Sequence, residues 1–249
     1  MNTPVVAVNA LEDAPGLFRN VQAFGRAAGT DETAVAASLL CQAWAVSVTR
    51  AAIASLVGAR RVPDLSAANT VLSFDRQGRP VEVSLLSPRF AAVAGDDEAA
   101  TAPGAETVAD DDALFAWARA RLFDGHLGLL VEALHDLAPV GRRLLWGNVA
   151  AATAGGFAAL SAQAPYNLQP DRLIADARNL LDWPASPTWG LAEVFGVPHD
   201  GGSRLFVRRQ TCCLRYRLPD APPTCLSCRL VPEWERRRRI ALRLQPAAV

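Results

Sequence analysis

The sequence predicts a mainly helical α+β protein with a small cysteine-rich region near its C-terminal end. Three observations support this class: long apolar segments with helical spacing, two alternating segments around a turn, and a cluster of cysteines. The chain has 249 residues, 51% of them hydrophobic, and is long enough to bury a substantial core. Its composition excludes disordered, collagen-like and disulfide-scaffold proteins.

The first two helices are predicted over residues 14–28 and 31–59. Thr30 is the predicted N-cap of the second helix, and the two acids that follow it suit the positive end of the helix dipole. Cys41 and Trp44 lie three residues apart among Ala and Leu, so we expect both in the core. We expect this long helix to be buried in the protein and not to span a membrane.

A β-hairpin is predicted next, because residues 70–74 and 81–85 alternate apolar and polar side chains around a turn signal at 75–78. Residues 95–112 contain seven acids and no base. Such a composition buries little apolar surface, so we predict a mobile loop there.

Helices return in the middle of the chain. The spacing of apolar residues predicts a helix over 113–137, interrupted near Gly125 and Gly128. Further helices are predicted from Leu144 onward and over 171–181, where prolines flank the segment.

The predicted organisation has four parts that together form one compact unit. A helical region with the hairpin covers 1–94, the acidic loop covers 95–112, a helical body covers 113–200, and a Cys- and Arg-rich region covers 201–249. The last part holds a short predicted strand over 204–208 and carries eleven Arg against three acids, although the whole chain has no net charge.

Four of the five cysteines lie within 17 residues: Cys212, Cys213, Cys225 and Cys228. Four soft sulfur ligands in one place suit Zn²⁺ or an iron–sulfur cluster and suit Mg²⁺ or Ca²⁺ poorly. Adjacent side chains of an extended segment point in opposite directions, so the vicinal pair needs a turn to reach one ion. A two-iron cluster is a larger target. A dithiol redox pair at Cys225 and Cys228 is the other reading, but its usual βαβ context is missing.

This region resembles the C-terminal signature of the FhuF-type siderophore-iron reductases. The resemblance lies in Arg209-Gln210-Thr211-Cys212-Cys213, then Tyr216, then the Cys225-x-x-Cys228 end, with weaker similarity at Leu145-Trp146-Gly147-Asn148. Two departures stand out: the cysteine pairs are separated by one residue more than in the family pattern, and Arg229 follows the last cysteine where the family often has Pro. The extra residue falls near the turn at 220–223, which can absorb it.

The resemblance implies a 2Fe-2S cluster held by Cys212, Cys213, Cys225 and Cys228. It implies one-electron reduction of Fe(III) in a hydroxamate siderophore, with release of Fe(II) in the cytoplasm. No catalytic residue beyond the cluster is required. Trp146 and Asn148 are candidates for lining a substrate groove, but a Trp in a helix among Leu and Ala is more often a core residue. No signal peptide, transmembrane segment or nucleic-acid partner is predicted, and association with the membrane surface stays open.

An electron donor is also implied, because the chain has no dinucleotide or flavin fingerprint. A separate ferredoxin or flavodoxin is expected. The run Arg236–Arg239 is its docking surface, a site that attracts an anionic ferric chelate, or a solvated helix face. Arginines close to the cysteines are expected to favour the reduced cluster, namely Arg208, Arg209, Arg215, Arg217 and Arg229. The alternative function is a structural zinc knuckle that binds a partner or nucleic acid through the Arg-rich tail.

Overall fold

The structure is a computed structural model that describes residues 5–7, 11, 13–162, 169–199, 202–220 and 224–245. Its helices are α1 (Ala14–Ala28), α2 (Thr33–Ala59), α3 (Asp97–Ala100), α4 (Asp111–Arg119), α5 (Gly128–Leu137), α6 (Arg142–Leu160), α7 (Pro170–Leu181) and α8 (Glu233–Leu244). Its strands are β1 (Val5–Ala7), β2 (Arg61–Pro63), β3 (Thr70–Phe74), β4 (Pro80–Leu85), β5 (Phe90–Val93), β6 (Ala105–Val108), β7 (Ala192–His199) and β8 (Gly202–Arg209). Helices predominate and the strands form small sheets, which confirms the α+β class.

Helix α2 is the centre of the fold. It packs along α6, with α1 on another side, and these contacts bury Cys41 and Trp44 almost completely, as predicted. Among the described helices α2 is also the one whose length and hydropathy would allow it to cross a membrane. More than half of its apolar stretch is instead buried against the rest of the protein, as expected for a core helix.

The start of α2 differs from the prediction, because Thr30 is not its N-cap. The helix begins at Thr33 with Glu32 at the N-cap, and the Thr30 hydroxyl accepts a hydrogen bond from the Glu32 N–H at 3.1 Å. The reason lies in the end of α1. Gly29 adopts a left-handed conformation (φ 77°), and the Thr30 N–H donates to the Gly25 carbonyl, so Thr30 belongs to the closing turn of α1.

The predicted helix over 113–137 is confirmed, but the predicted interruption near Gly125 and Gly128 is wrong. The helical run is continuous and consists of α4, a π-helical segment at 120–127 and α5. The wide turn places His126 in the core, where Nε2 lies 3.0 Å from the Trp44 indole nitrogen. An indole N–H can only donate, so Nε2 accepts and the proton sits on Nδ1, which donates to the Leu65 carbonyl at 2.7 Å. Burial lowers the pKa of His126 to about 4, so this ring is neutral at pH 7.

The strands form three small sheets, ordered β1-β3-β4, β2-β5-β6 and β7-β8. The predicted hairpin is confirmed, since β3 and β4 pair antiparallel. The predicted strand at 204–208 is confirmed and extends to the full length of β8. Its antiparallel partner β7 was not expected, because Gly196 and Pro198 weaken its strand pattern. This two-stranded ribbon packs on α6 and α7 and leads directly into the cysteine region.

The prediction of a loop over 95–112 is wrong. The segment contains α3 and β6, and β6 pairs parallel with β5. Its acids have hydrogen-bond and ion-pair partners that the composition did not reveal. Asp96 caps α3 through the Ala99 N–H and pairs with Arg61 at 2.7 Å, and this guanidinium lowers the pKa of Asp96 to about 2. Asp110 caps α4 in the same way. Caps and ion pairs order the segment where apolar burial is small.

Candidate cofactor site

Four cysteines lie around one pocket at the end of the β7-β8 ribbon. Residues 210–214 continue from β8, a single 3₁₀ turn follows at 215–217, and residues 224–228 lead into α8. The pocket has a volume of about 230 Å³ and is lined by Cys212, Cys213, Cys225 and Cys228 together with Arg215, Tyr216 and Thr224. All four cysteines are free thiols; Cys213 and Cys228 are buried, Cys212 is half-buried and Cys225 is exposed. The fold therefore gathers the cysteines that the sequence singled out.

The first pair is held against the helical body by a buried polar network. The Ser38 hydroxyl, on α2, donates to the Cys213 carbonyl at 2.9 Å. The Asn148 amide, on α6, donates to the same hydroxyl at 2.9 Å and to the Ser38 carbonyl at 2.8 Å. Ser38 and Asn148 are fully buried, so these bonds form without competition from water. The two core helices thus fix the backbone position of Cys213.

Arg209 closes this network from the side of the cysteine segment. Its guanidinium is 2% exposed, donates to the Asn148 side-chain oxygen, and donates to the Gln42 side-chain oxygen at 3.1 Å. The backbone N–H of Arg209 also donates to the Ser227 carbonyl at 3.1 Å. Arg209 therefore ties the helical body, the first pair and the loop of the second pair together.

Space for this arrangement comes from Gly147, one residue before Asn148. A Cβ atom at Gly147 would collide with the Thr211 side chain, so only glycine lets α6 approach the cysteine segment this closely. Trp146 is partly buried and lies edge-on to Phe123, with ring centroids 6.4 Å apart. The stretch Leu145–Asn148 thus contacts the residues that hold the site and lies outside the lining of the thiol pocket.

A turn after Cys213 brings the two adjacent thiols to the same pocket. Leu214 adopts a left-handed conformation (φ 63°), and its N–H donates to the Cys212 sulfur at 3.3 Å. The next turn is anchored by an ion pair between Arg217 and Glu32 at the start of α2. The sequence argument required such a turn for both thiols to reach one site, and the structure contains it.

The second pair is held by α8. A tight turn is closed by the Cys228 N–H, which donates to the Cys225 carbonyl at 3.0 Å. The buried Arg236 guanidinium donates to three carbonyl groups of this segment, those of Leu226 (2.6 Å), Cys228 (3.1 Å) and Val231 (3.1 Å). Arg239 adds a bond to the Thr224 carbonyl at 2.6 Å.

No single reading of the run Arg236–Arg239 holds for all four residues. Arg236 is 3% exposed and serves as an internal clamp, and Arg239 is half-buried against Thr224. Arg237 and Arg238 face solvent, with 79% and 68% of their side chains exposed. Helical spacing places positions 236 and 239–240 on one face, so two of the four point inward.

The arginines expected to surround the cysteines divide into two groups. Arg208 pairs with Glu193 at 2.5 Å, Arg217 pairs with Glu32, and Arg229 donates to the Gln210 carbonyl at 2.9 Å. Arg215 lines the thiol pocket and forms no ion pair with any described residue. Arg209, Arg215 and Arg229 therefore remain as the arginines of this set that form no ion pair with a described carboxylate.

The donor set consists of four sulfur atoms, which suit either a zinc ion or an iron–sulfur cluster. Burial raises the pKa of Cys228, and the other three thiols contribute to the same direction, as expected when four sulfurs share one pocket. Among the described residues, however, no group of three or more His, Cys, Asp or Glu side chains is gathered closely enough to hold a metal ion. Residues 221–223, where the extra residue was placed, lie outside the described part of the chain.

The fifth cysteine does not belong to the site. Cys41 is fully buried on α2, its thiol lies 3.7 Å from the Leu145 carbonyl, and burial raises its pKa to about 12. It therefore stays protonated and serves as a core residue, which confirms the expectation.

Sequence reasoning missed two supporting residues, Ser38 and Gln42. It also missed that the Arg236 side chain points inward. Ser38 lies 175 residues from Cys213, so no spacing rule connects them. The available signal was a polar residue within the apolar stretch of a core helix, which must find a partner when buried.

Comparison with known proteins agrees with this description of the molecule. The chain matches the family model described as "Ferric iron reductase FhuF-like transporter" over residues 38–193. That range covers more than half of the chain, from Ser38 on α2 to the start of β7, and includes Asn148. A search of curated proteins found no match. The match defines the class of protein as FhuF-like, and the description of that family names a ferric iron reductase.

The chain belongs to the FhuF-like ferric iron reductase family. Membership supports a role in reducing siderophore-bound iron. The matched range ends before the four clustered cysteines, so it covers the body that supports the first pair and leaves the pairs themselves outside.

Proposed function

We propose that this protein is a 2Fe-2S ferric-siderophore reductase, which transfers one electron to Fe(III) in a hydroxamate siderophore and releases Fe(II) in the cytoplasm. The observation that carries the proposal is the meeting of four free cysteines on one pocket, attached to a body of the ferric iron reductase family. Hard oxygen ligands hold Fe(III) more tightly than Fe(II), so adding one electron loosens the chelate.

The cluster would be held by the thiolates of Cys212, Cys213, Cys225 and Cys228. When bound, the cluster supplies the one-electron chemistry that amino-acid side chains lack. The protein fixes the ligands before binding, through Ser38 at the first pair and Arg236 at the second. Such positioning reduces the rearrangement needed on each change of charge.

The environment of the pocket favours added negative charge. The Leu214 N–H donates to the Cys212 sulfur, the Arg215 guanidinium lines the thiol pocket, and the buried Arg209 guanidinium belongs to the network that holds the Cys213 backbone. N–H donors and positive charge near thiolate ligands stabilise the reduced form and raise the potential. Cys213 and Cys228 are shielded from water, whereas exposed Cys225 gives the electron a short path to a bound molecule.

The electron donor would be a ferredoxin or flavodoxin that docks near α8. Arg237 and Arg238 are exposed there and pair with Glu233 and Glu235, but α8 carries five arginines against two glutamates and so keeps a net positive charge. Trp234 beside them is 69% exposed. Ferredoxins and flavodoxins carry acidic surfaces, and such complementary charge speeds encounter. Arg236 and Arg239 hold the second cysteine pair and stay out of this surface.

Anaerobic purification tests the cofactor directly. We expect red-brown protein with about two irons and two acid-labile sulfides per chain, the composition of one such cluster. Cys213→Ser or Cys225→Ser should reduce both by more than about fivefold, because a lost thiolate leaves one iron short of a ligand. Cys41→Ala is the matched control and should keep full iron and sulfide, since that thiol lies in the core.

The same samples test the reaction. Dithionite-reduced wild-type protein should release Fe(II) from a ferric hydroxamate chelate, trapped as a coloured ferrous complex, and the two Cys→Ser variants should not. Colourless protein with one zinc per chain would contradict the proposal and support the zinc-knuckle alternative. Full iron and sulfide content without Fe(II) release would support the cofactor and contradict the proposed reaction.

A further inference from the structure

A second, larger depression adjoins the thiol pocket and faces α2. It has a volume of about 730 Å³ and is bordered by α2, the end of α1, the turn between β3 and β4, and the cysteine loops. We call it the α2 groove. Its size is in the range of pockets that bind small organic ligands of siderophore dimensions.

One end of the α2 groove is formed by the cofactor site itself. Cys213 of the first pair and Cys225 of the second both line it, together with Ser227. A molecule in the groove would therefore contact ligand residues of both cysteine pairs. Another groove of about 850 Å³, between α6 and β8, reaches Cys225 but none of the other three cysteines of the site. We call this one the α6 groove.

The wall of the α2 groove is an uncovered apolar stripe of a helix that is otherwise buried. Leu39, Ala43 and Val46 follow one another at helical spacing along α2, and Val46 is 45% exposed. Phe24 of α1 continues the stripe. Aliphatic linkers between the iron-binding groups of a chelate would find matching apolar surface here.

Two guanidinium groups border the stripe, and neither has an ion-pair partner among the described residues: Arg79 and Arg215. Arg79 is held in place because Gly78, at φ 70°, packs its turn against the backbone of α1 at Asn20. Asp220 is the acid that the described residues place in the lining, so positive charge prevails. Guanidinium N–H groups are suited to oxygen-rich anionic or neutral ligands.

We propose that the α2 groove is the docking site of the ferric siderophore, and that it selects chelates without a pendant cation. This inference rests on the proposed function and gives the substrate of that site a place and a charge preference. The apolar parts of the chelate lie on α2, and its oxygen atoms accept hydrogen bonds from Arg215 and Arg79. The iron centre then lies beside Cys213 and Cys225.

Binding of a redox-inert probe tests the groove without relying on turnover. The probe is the gallium(III) complex of N-acetyldesferrioxamine B, a neutral trihydroxamate chelate that accepts no electron under these conditions. In isothermal titration of cluster-loaded protein, Val46→Trp should bind the probe at least about tenfold more weakly than the wild type, because the indole fills the groove. Ala159→Trp, which places the same group on an exposed position of the α6 groove, should stay within about twofold of wild type.

The charge preference is tested with the same titration. The gallium complex of unmodified desferrioxamine B has the same chelate core and one pendant ammonium group, and it should bind about threefold or more weakly than the acetylated probe. Arg215→Gln should weaken binding of the acetylated probe about fivefold and reduce the difference between the two probes. Arg237→Gln on α8 is the matched control and should change neither value.

The outcomes separate this inference from the proposed function. If Ala159→Trp abolishes binding and Val46→Trp does not, or if the wild type binds neither probe while it carries iron and sulfide, the docking site is wrong and the reductase proposal stands. Equal affinity for both probes overturns the charge preference. Missing iron and sulfide in the wild type counts against the proposed function instead.

Discussion

The two cysteine pairs reach the same pocket from structurally different supports. Cys212 and Cys213 follow β8 and are tied to the helical body by Ser38, Asn148 and Arg209. Cys225 and Cys228 lie in a short loop that is tied mainly to α8, through Arg236 and Arg239. One half of the site is therefore part of the core, and the other half is attached to it.

The two supports use different chemistry for the same purpose. At the first pair a fully buried serine and asparagine connect two core helices to one carbonyl group. At the second pair one buried guanidinium satisfies three carbonyl groups of a loop that has no regular structure. A local clamp needs only the loop and the helix after it, whereas the first support requires the whole body to be folded. We therefore expect variants of the first support to change both stability and cofactor content, and variants of the second to change mainly cofactor content.

The largest effect is expected for Asn148→Ala. The change removes two donated bonds to Ser38 and one accepted from Arg209, and it leaves a buried guanidinium with fewer partners. Breaking a buried charged network of this kind costs about 3 kcal/mol, or roughly 10 °C in Tm for a chain of this size. The Tm, measured by circular dichroism, and the iron content should both decrease.

Asn179→Ala is the matched control for that variant, because Asn179 lies exposed on α7 and only its backbone carbonyl is used, by Arg119. It should leave Tm and iron content unchanged. If Asn148→Ala loses iron while its Tm stays at the wild-type value, the first pair is not supported through the core and the contrast between the two supports fails.

A smaller and more local effect is expected for Arg236→Met. The three carbonyl groups of the second loop lose their donor, while the neutral methionine leaves no unpaired charge at this buried position. Iron content should decrease by about half or more, while Tm should change by less than about 3 °C, because the helical body keeps its packing. Limited proteolysis should cut the loop at 224–228 faster than in the wild type.

The control for this variant is Arg237→Gln, one position along the same helix, where the side chain is 79% exposed. It removes the same charge from α8 without touching the loop. Equal iron loss in both variants would show that net charge, and not the internal clamp, is what the second pair needs.

Local sequence patterns predict most of the helices and the hairpin, because those elements follow from spacing and turn residues close in the chain. The limits of α1, the confirmed pairing of β3 with β4 and the burial of Cys41 are of this kind. The acidic segment shows where such reasoning fails. Besides its helix caps, its order depends on Arg60, which follows α2, and on Arg61 of β2, and both lie far from it in sequence.

The site divides in the same way. The four cysteines could be singled out from their spacing, and the structure brings them to one pocket. Their supports could not be found, because Ser38 and Asn148 meet the cysteine segment only after α2 and α6 have packed together. The inward direction of Arg236 was readable in principle from helical spacing, but a run of four arginines hides which member faces the loop.

The smallest effect is expected for Ser38→Ala, which removes a single hydroxyl from the first support. The Cys213 carbonyl loses its donor, while the Asn148 amide keeps its bond to the Ser38 backbone carbonyl. The cost should be about 1 kcal/mol, or a few degrees in Tm, with iron still bound. Because the Cys213 backbone is then less fixed, we expect a changed electron paramagnetic resonance spectrum of the reduced protein.

Ser55→Ala on the same helix separates the lost hydroxyl from a general change in α2, since the Ser55 side chain is half-buried and forms no hydrogen bond with described residues. It should leave the spectrum and the Tm unchanged. If Ser38→Ala gives a wild-type spectrum together with the loss of stability, Ser38 serves the packing of α2 against α6 and does not position the cysteine. The first support would then consist of Asn148 and Arg209 alone, and the difference between the two pairs would be smaller than the hydrogen bonds indicate.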